Sequence, residues 1–181
     1  MKRRTVFKHL AAATAAAWIL PSCVSDPKKV SVALNHLKVT GDEEELLGNI
    51  ADVMIPGTET PGARGVQAHL FALIMVDDCL AREEQEKYLK GMRSFPDVVR
   101  TLTGKSFSAA SPAERLQILS AIEEHQDELS EETKTFYGRT RSYIVQGYLS
   151  SKHFLTEVKP YELVPGPDYK GCIPVDSKTL S

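Results

Sequence analysis

Two capping boxes, Thr40-Gly41-Asp42-Glu43 and Ser111-Pro112-Ala113-Glu114, constrain this chain more than any other feature. In each, a hydroxyl can accept from the amide three residues on while the glutamate reaches back to the hydroxyl residue's own amide, so a helix start is written into four residues. Behind the first box, Leu46, Leu47, Ile50, Val53 and Met54 recur at helical spacing and predict a helix over about 41–55, which Pro56 ends. Behind the second, Pro112 suits the first helical position and Leu116, Leu119 and Ile122 make an apolar face. Three further segments read as helical. Residues 65–80 are apolar nearly all round from Leu70 to Val76 and are expected at the centre of the domain, with His69 and Asp77 barring a membrane span. A charged helix from Glu83 to Met92 is expected to break at Phe95-Pro96 ahead of a shorter one, Asp97 to Thr103, stopped by Gly104. A last helix over about 131–149 carries Phe136, Thr140, Tyr143, Ile144, Gly147 and Tyr148 on one side. After Phe154, Pro160, Pro165, Pro167 and Pro174 forbid regular structure, yet Tyr161, Leu163, Val164, Tyr169, Ile173 and Val175 give the segment apolar surface to bury. The expected fold is all-α: a single compact bundle of about five helices over 40–154, with an irregular Pro/Gly-rich tail over 155–181 packed on it.

The leading residues have a different character. Lys2, Arg3, Arg4 and Lys8 precede an alanine-rich apolar run from Leu10 to Leu20, the plan of an export signal, and the run is too short for a comfortable membrane span. Arg3-Arg4-Thr5-Val6-Phe7-Lys8 resembles a twin-arginine signal, which moves folded cargo, although Lys2 stands where Ser or Thr is usual and Val6-Phe7 replaces Phe-Leu. The alternative is a general secretory signal with a chance arginine pair. Leu20-Pro21-Ser22-Cys23 resembles a lipobox, in which Cys23 takes a diacylglycerol and becomes the new N-terminus; the alternative is a chance cysteine after an ordinary signal. Residues 1–22 are thus expected to be an export signal and 23–39 a tether from membrane to domain, making the product a periplasmic, membrane-anchored lipoprotein.

Charge and motif content narrow the function. The whole chain has 22 basic and 24 acidic residues, but four of the basic ones lie in the first 22 residues with no acid, leaving 18 against 24, a formal charge of −6. That balance argues against nucleic acid as a partner. No glycine-rich dinucleotide loop, Walker loop or Cys-x-x-Cys is present, and none of the five histidines forms the Glu-x-x-His pair of a helical di-iron site. His69 is the best-placed candidate ligand, though a hydrogen-bonded histidine at the edge of a core is the commoner meaning. Asp77 and Asp78 point about 100° apart on a helix, so they do not form a catalytic dyad; Asp77 is expected to cap the following turn and Asp78 to be solvated. Glu83, Glu84, Glu86, Glu123, Glu124, Asp127 and Glu128 read as wet helix faces. No catalytic, cofactor-binding or metal residues are expected in this chain.

With Cys23 taken by lipid, Cys79 and Cys172 remain, an even number in an oxidising compartment. A disulfide between them would fasten the tail to the end of the second helix; two separate buried thiols are the alternative.

The stretch Ala51-Asp52-Val53-Met54-Ile55-Pro56-Gly57-Thr58-Glu59-Thr60-Pro61-Gly62-Ala63 resembles the mark of the gluconate 2-dehydrogenase subunit 3 family. The likeness continues through Phe107 to Arg115, the Phe136 to Ser151 helix and Tyr161 to Cys172, covering roughly 42–176, with Leu149-Ser150-Ser151 where many relatives have Phe-Thr-Ser. The resemblance implies a non-catalytic small subunit without a cofactor of its own, beside a large FAD-dependent, GMC-type sugar or polyol dehydrogenase. It also implies a cytochrome c carrying haem c as a further subunit, and export and membrane anchoring of the large subunit through the small one. Thr58, Thr60 and Pro61 of the Pro-Gly connection, with Tyr161 and Tyr169 of the tail, are expected at the partner interface, because prolines hold both segments and an ordered segment loses little entropy on binding; the alternative, as strong for Tyr161, is that these residues merely close the bundle. A stand-alone periplasmic lipoprotein with a structural or ligand-binding role is the alternative.

Overall fold

The computed structural model describes residues 30–159. Within them five α-helices and no strand form a bundle: α1 (Gly41–Met54), α2 (Ala68–Cys79), α3 (Arg82–Thr103), α4 (Pro112–Glu124) and α5 (Glu131–Leu149). The export signal with Arg3, Arg4 and Cys23, and the tail with Tyr161, Tyr169 and Cys172, lie outside the described residues.

Both capping boxes form. Thr40 accepts from the Glu43 amide at 3.3 Å and Glu43 accepts from the Thr40 amide at 2.8 Å; Ser111 and Glu114 repeat the pattern at 3.4 and 3.0 Å. α1 buries Leu47, Ile50 and Ala51 and ends at Ile55, before Pro56. α5 is the central helix, packed against both α3 and α2. Phe136 and Ile144 are wholly buried on it, and its crossing with α3 is close because Gly91 has no side chain: a Cβ there would lie 2.6 Å from the Glu132 carbonyl carbon and 2.7 Å from the Phe136 Cβ. Inside this contact the Tyr88 hydroxyl and Thr140 Oγ1 share a hydrogen bond of 2.8 Å, and burial pushes the Tyr88 phenol above its usual range.

Four expectations are corrected. α2 is not the all-round buried centre: Ala72, Leu73 and Val76 are buried, but Leu70, Phe71 and Met75 are half-buried and Ile74 is exposed. It also begins at Ala68, because residues 63–67 turn first and Gln67 sits in the left-handed region at φ 61°. α3 does not break at Phe95-Pro96 but runs as one helix of 22 residues to Gly104, whose φ of 69° stops it. An internal proline costs about 3 kcal/mol, yet Phe95 is wholly buried with its ring centroid 5.9, 5.3 and 6.2 Å from those of Phe107, Phe136 and Tyr137. Burial of Tyr88, Met92, Phe95 and Val99 on the same face, about 2 kcal/mol each, outweighs that cost. On α4 the buried face is Ile118, Leu119 and Ile122, while Leu116 is 56% exposed. Finally, Phe154–Val158 is not irregular but a π-helical turn, closed by the Lys159 amide on the Phe154 carbonyl at 2.8 Å.

The described part of the expected tether, residues 30–39, is likewise no free linker. Leu37 is buried and Val30, Val32, Leu34 and Val39 pack half-buried on the core. This strap is clasped at two places by carboxylates. Glu44 accepts from the Ser31 amide and hydroxyl at 2.6 and 2.7 Å. Asp77 accepts from the amides of Asn35, His36 and Leu37 at 2.6, 2.8 and 2.7 Å.

Candidate functional site

The stretch after α1 folds back on itself. The Ala63 amide donates to the Ile55 carbonyl at 2.9 Å and the Thr58 amide to the Thr60 carbonyl at 3.0 Å, closing a compact loop from Pro56 to Gly62. Gly62 is required by close approach: a Cβ would lie 2.6 Å from the Pro56 carbonyl carbon and inside the contact distance of the Ile55 oxygen. Ala63 is wholly buried and plugs the base, so Thr58, Glu59, Thr60 and Pro61 form an exposed edge on a fixed frame.

Behind the loop lies a polar knot that sequence reasoning did not find. Asn49, 4% exposed on α1, accepts on Oδ1 from Arg64 Nη1 and Arg115 Nη1, both at 2.9 Å. Arg64 also donates to Glu45 at 2.7 Å. Arg115 donates to the Phe107 and Ser108 carbonyls at 3.0 and 2.9 Å and lies over the Phe107 ring at 5.7 Å. One buried amide thereby ties α1, the returning arm of the loop and the first turn of α4, and Arg115 carries the tie on to the turn before it. The only sequence signal was an asparagine, a poor helix former, in the middle of a helix.

Beside the loop an apolar groove of about 290 Å³ opens between the end of α1 (Val53, Met54), α4 (Leu116, Leu119) and α5 (Val145). Leu116 and Val145 are exposed within it. Its polar rim is the Tyr137 hydroxyl donating to Glu123 at 2.9 Å and the Arg141 to Glu123 ion pair at 3.0 Å. Burial first, and then the bond to Glu123, raises the Tyr137 phenol above its usual range. Groove and loop both border the carboxyl end of α1, the loop cleft at Asp52 and the groove at Val53 to Ile55. A second cavity, about 430 Å³, lies at the other half of α1 against Met92 and Pro96 of α3 and the turn Ser106 to Ser108.

Thr58, Thr60 and Pro61 stand together on the exposed edge. Their expected companions Tyr161 and Tyr169 lie outside the described residues, as does Cys172; Cys79 is exposed at the end of α2. Among the described residues His69 does not make the side-chain hydrogen bond expected of a histidine at the edge of the core. It is 8% exposed, its Nδ1 has no partner among the described residues, and burial lowers its pKa despite the nearby Glu44. Among the described residues no cluster of His, Cys, Asp or Glu is placed to hold a metal ion. Asp77 does not cap the turn after α2; Gln85 does, donating to the Asp77 and Leu80 carbonyls at 2.7 and 3.1 Å. The Asp77 carboxylate instead holds the strap. Burial pushes its pKa up, but the three amides outweigh this and hold it below the usual carboxylate range. No described helix is long and apolar enough to cross a membrane.

The family model described as gluconate 2-dehydrogenase subunit 3 matches residues 41–166. The chain belongs to the gluconate 2-dehydrogenase subunit 3 family. The matched stretch begins on the first residue of α1 and includes the loop, the knot, the groove and all five helices, while the strap precedes it. The family's name is that of a subunit of a dehydrogenase complex, so the chain is one component of such an assembly. No curated protein and no solved structure matches the chain.

Proposed function

We propose that this chain is a non-catalytic accessory subunit that binds a large FAD-dependent, GMC-type sugar dehydrogenase, accompanies it across the membrane as folded cargo, and holds it in the periplasm through a lipid on Cys23. The flavin belongs to the large subunit, and haem c to a further cytochrome subunit. The observation that carries this reading is the loop. The family's characteristic stretch is spent on an exposed edge, Thr58 to Pro61, whose frame is fixed by the Gly62 close approach, the buried Ala63 and the Asn49 knot behind it. A segment ordered before binding loses little entropy when a partner covers it. The apolar groove with Leu116 and Val145 borders the same end of α1 and supplies the buried area a polar edge lacks. Tyr161 and Tyr169 would add aromatic anchors from the tail.

Export as a pair is tested by replacing Arg3 and Arg4 with Lys. Both this chain and its partner should then accumulate in the cytoplasm. Normal export of the double variant would assign the signal to the general secretory route and end the folded-cargo part of the proposal.

The 430 Å³ cavity favours one other reading, a stand-alone lipoprotein that binds a small ligand. Its walls hold few free polar groups, since Glu43 is engaged by Thr40 and Arg93, and Asn49 Oδ1 by two arginines.

A further inference from the structure

A flexible tether of 16 residues, Val24 to Val39, would let the domain wander about 55 Å from a lipid on Cys23, at about 3.4 Å per residue. The strap removes most of that reach. Residues 30–39 are fastened to the bundle at three points: the Ser31 clasp on Glu44, the three amides on Asp77, and the Lys38 carbonyl, which accepts from Arg93 at 2.9 Å. Leu37 is buried beneath them. Only six residues, Val24 to Lys29, are left between the lipidated cysteine and the body of the protein, and whatever path they take they span at most about 20 Å.

The clasp also sits at a defined place. Ser31 meets α1 at Glu44, in its first turns, and the Pro56–Gly62 loop leaves the same helix beyond Ile55. At 1.5 Å per residue the two are about 16 Å apart along the α1 axis. Asp77, the second clasp, is two residues from the exposed Cys79.

We infer that the docked strap orients the subunit on the membrane: it holds the end of the bundle bearing Glu44 and Asp77 against the lipid surface and turns the loop edge, Thr58 to Pro61, away from it toward the partner. This rests on the proposed lipid at Cys23. The strap is then a spacer that sets the height and facing of the docked dehydrogenase rather than a passive leash.

The test uses the full lipidated chain, without the partner so that the Thr58 edge stays uncovered, in phosphatidylethanolamine/phosphatidylglycerol vesicles carrying a headgroup-linked quencher. One fluorophore is placed on Cys79 in a Cys172→Ser background, and another at Thr58→Cys in a Cys79→Ser, Cys172→Ser background. The Cys79 label should be quenched at least twofold more than the Thr58 label. Twelve Gly-Ser residues inserted between Asp26 and Pro27, ahead of the strap in the chain, should bring the two labels to within about 20% of each other, and Asp77→Ala should do the same by freeing the strap. Equal quenching of the two labels in the parent, or a difference that survives the insertion, overturns the inference. Vesicle co-sedimentation and the mass of the mature N-terminus are measured first. A chain that neither sediments nor carries diacylglycerol refutes the anchor itself, and the orientation with it, which is a different result from an anchored chain whose labels are quenched alike.

Discussion

Asp77→Ala should release the strap and leave the bundle standing. The strap's apolar contribution is small: full burial of Leu37 is worth about 2 kcal/mol, and the half-buried Val30, Val32, Leu34 and Val39 about 1 kcal/mol each, near 6 kcal/mol in all. Ordering ten backbone residues costs on the order of 10 kcal/mol or more. Hydrogen bonds therefore decide whether the strap stays docked, and three of them converge on one carboxylate that is 2% exposed. Without it, three amides lose their acceptor at about 1 kcal/mol or more each, roughly 3 kcal/mol in total, and they recover water only if the strap lifts. Lifting is the cheaper outcome. Hydrogen exchange followed by mass spectrometry reads it directly: the amides of Asn35, His36 and Leu37 should exchange about 100-fold faster in the variant, while those of Phe136 to Ile144 in α5 keep their protection. Acid should act on the parent in the same direction. Because the native carboxyl lies below its unfolded value, its contribution is complete above about pH 4 and is lost as pH falls through the native pKa. Strap protection should fall there in the parent, with no corresponding loss left in the variant. Strap amides that stay within tenfold of the parent, or α5 amides that open together with them, would refute the reasoning.

Two glycines allow sharper structural tests. Gly91→Ala places a methyl against the Glu132 carbonyl at the α3–α5 crossing, where backbone cannot yield, and should cost about 3 kcal/mol, read as a lower midpoint in urea with an unchanged slope. Gly62→Ala meets the Ile55 and Pro56 backbone and should force the loop open, weakening capture of the partner at least tenfold while the circular dichroism of the helices is retained.

Which features could be foreseen depended on how far apart in the chain their causes lie. The helix starts at Thr40 and Ser111 were legible because cap donor and acceptor are three residues apart, and both boxes formed. The exposed loop was legible because Pro56, Gly57, Pro61 and Gly62 allow little else. Pro96 misled because its penalty is local while the burial of Phe95 against Phe107 and Phe136 is not. Leu116 misled because α4 carries more apolar residues than one buried face can use, and spacing alone does not choose between Leu116 and Ile118. The strap was invisible because Asp77 lies some forty residues from the amides it binds. The Asn49 knot was invisible for the same reason, its arginines coming from positions 64 and 115.

The central claim is that this chain works by holding a catalytic subunit, and affinity purification of the tagged full-length chain from its native membranes tests it most directly. The eluate should contain a large flavoprotein in a fixed ratio, with the absorbance of bound FAD and dye-reducing activity on a sugar acid or polyol. A chain lacking residues 160–181 should lose that flavoprotein while keeping its helical content. Elution of the full-length chain alone from membranes that contain the active dehydrogenase, or a truncated chain that retains a fully active complex, would contradict the first claim and the assignment of the tail respectively.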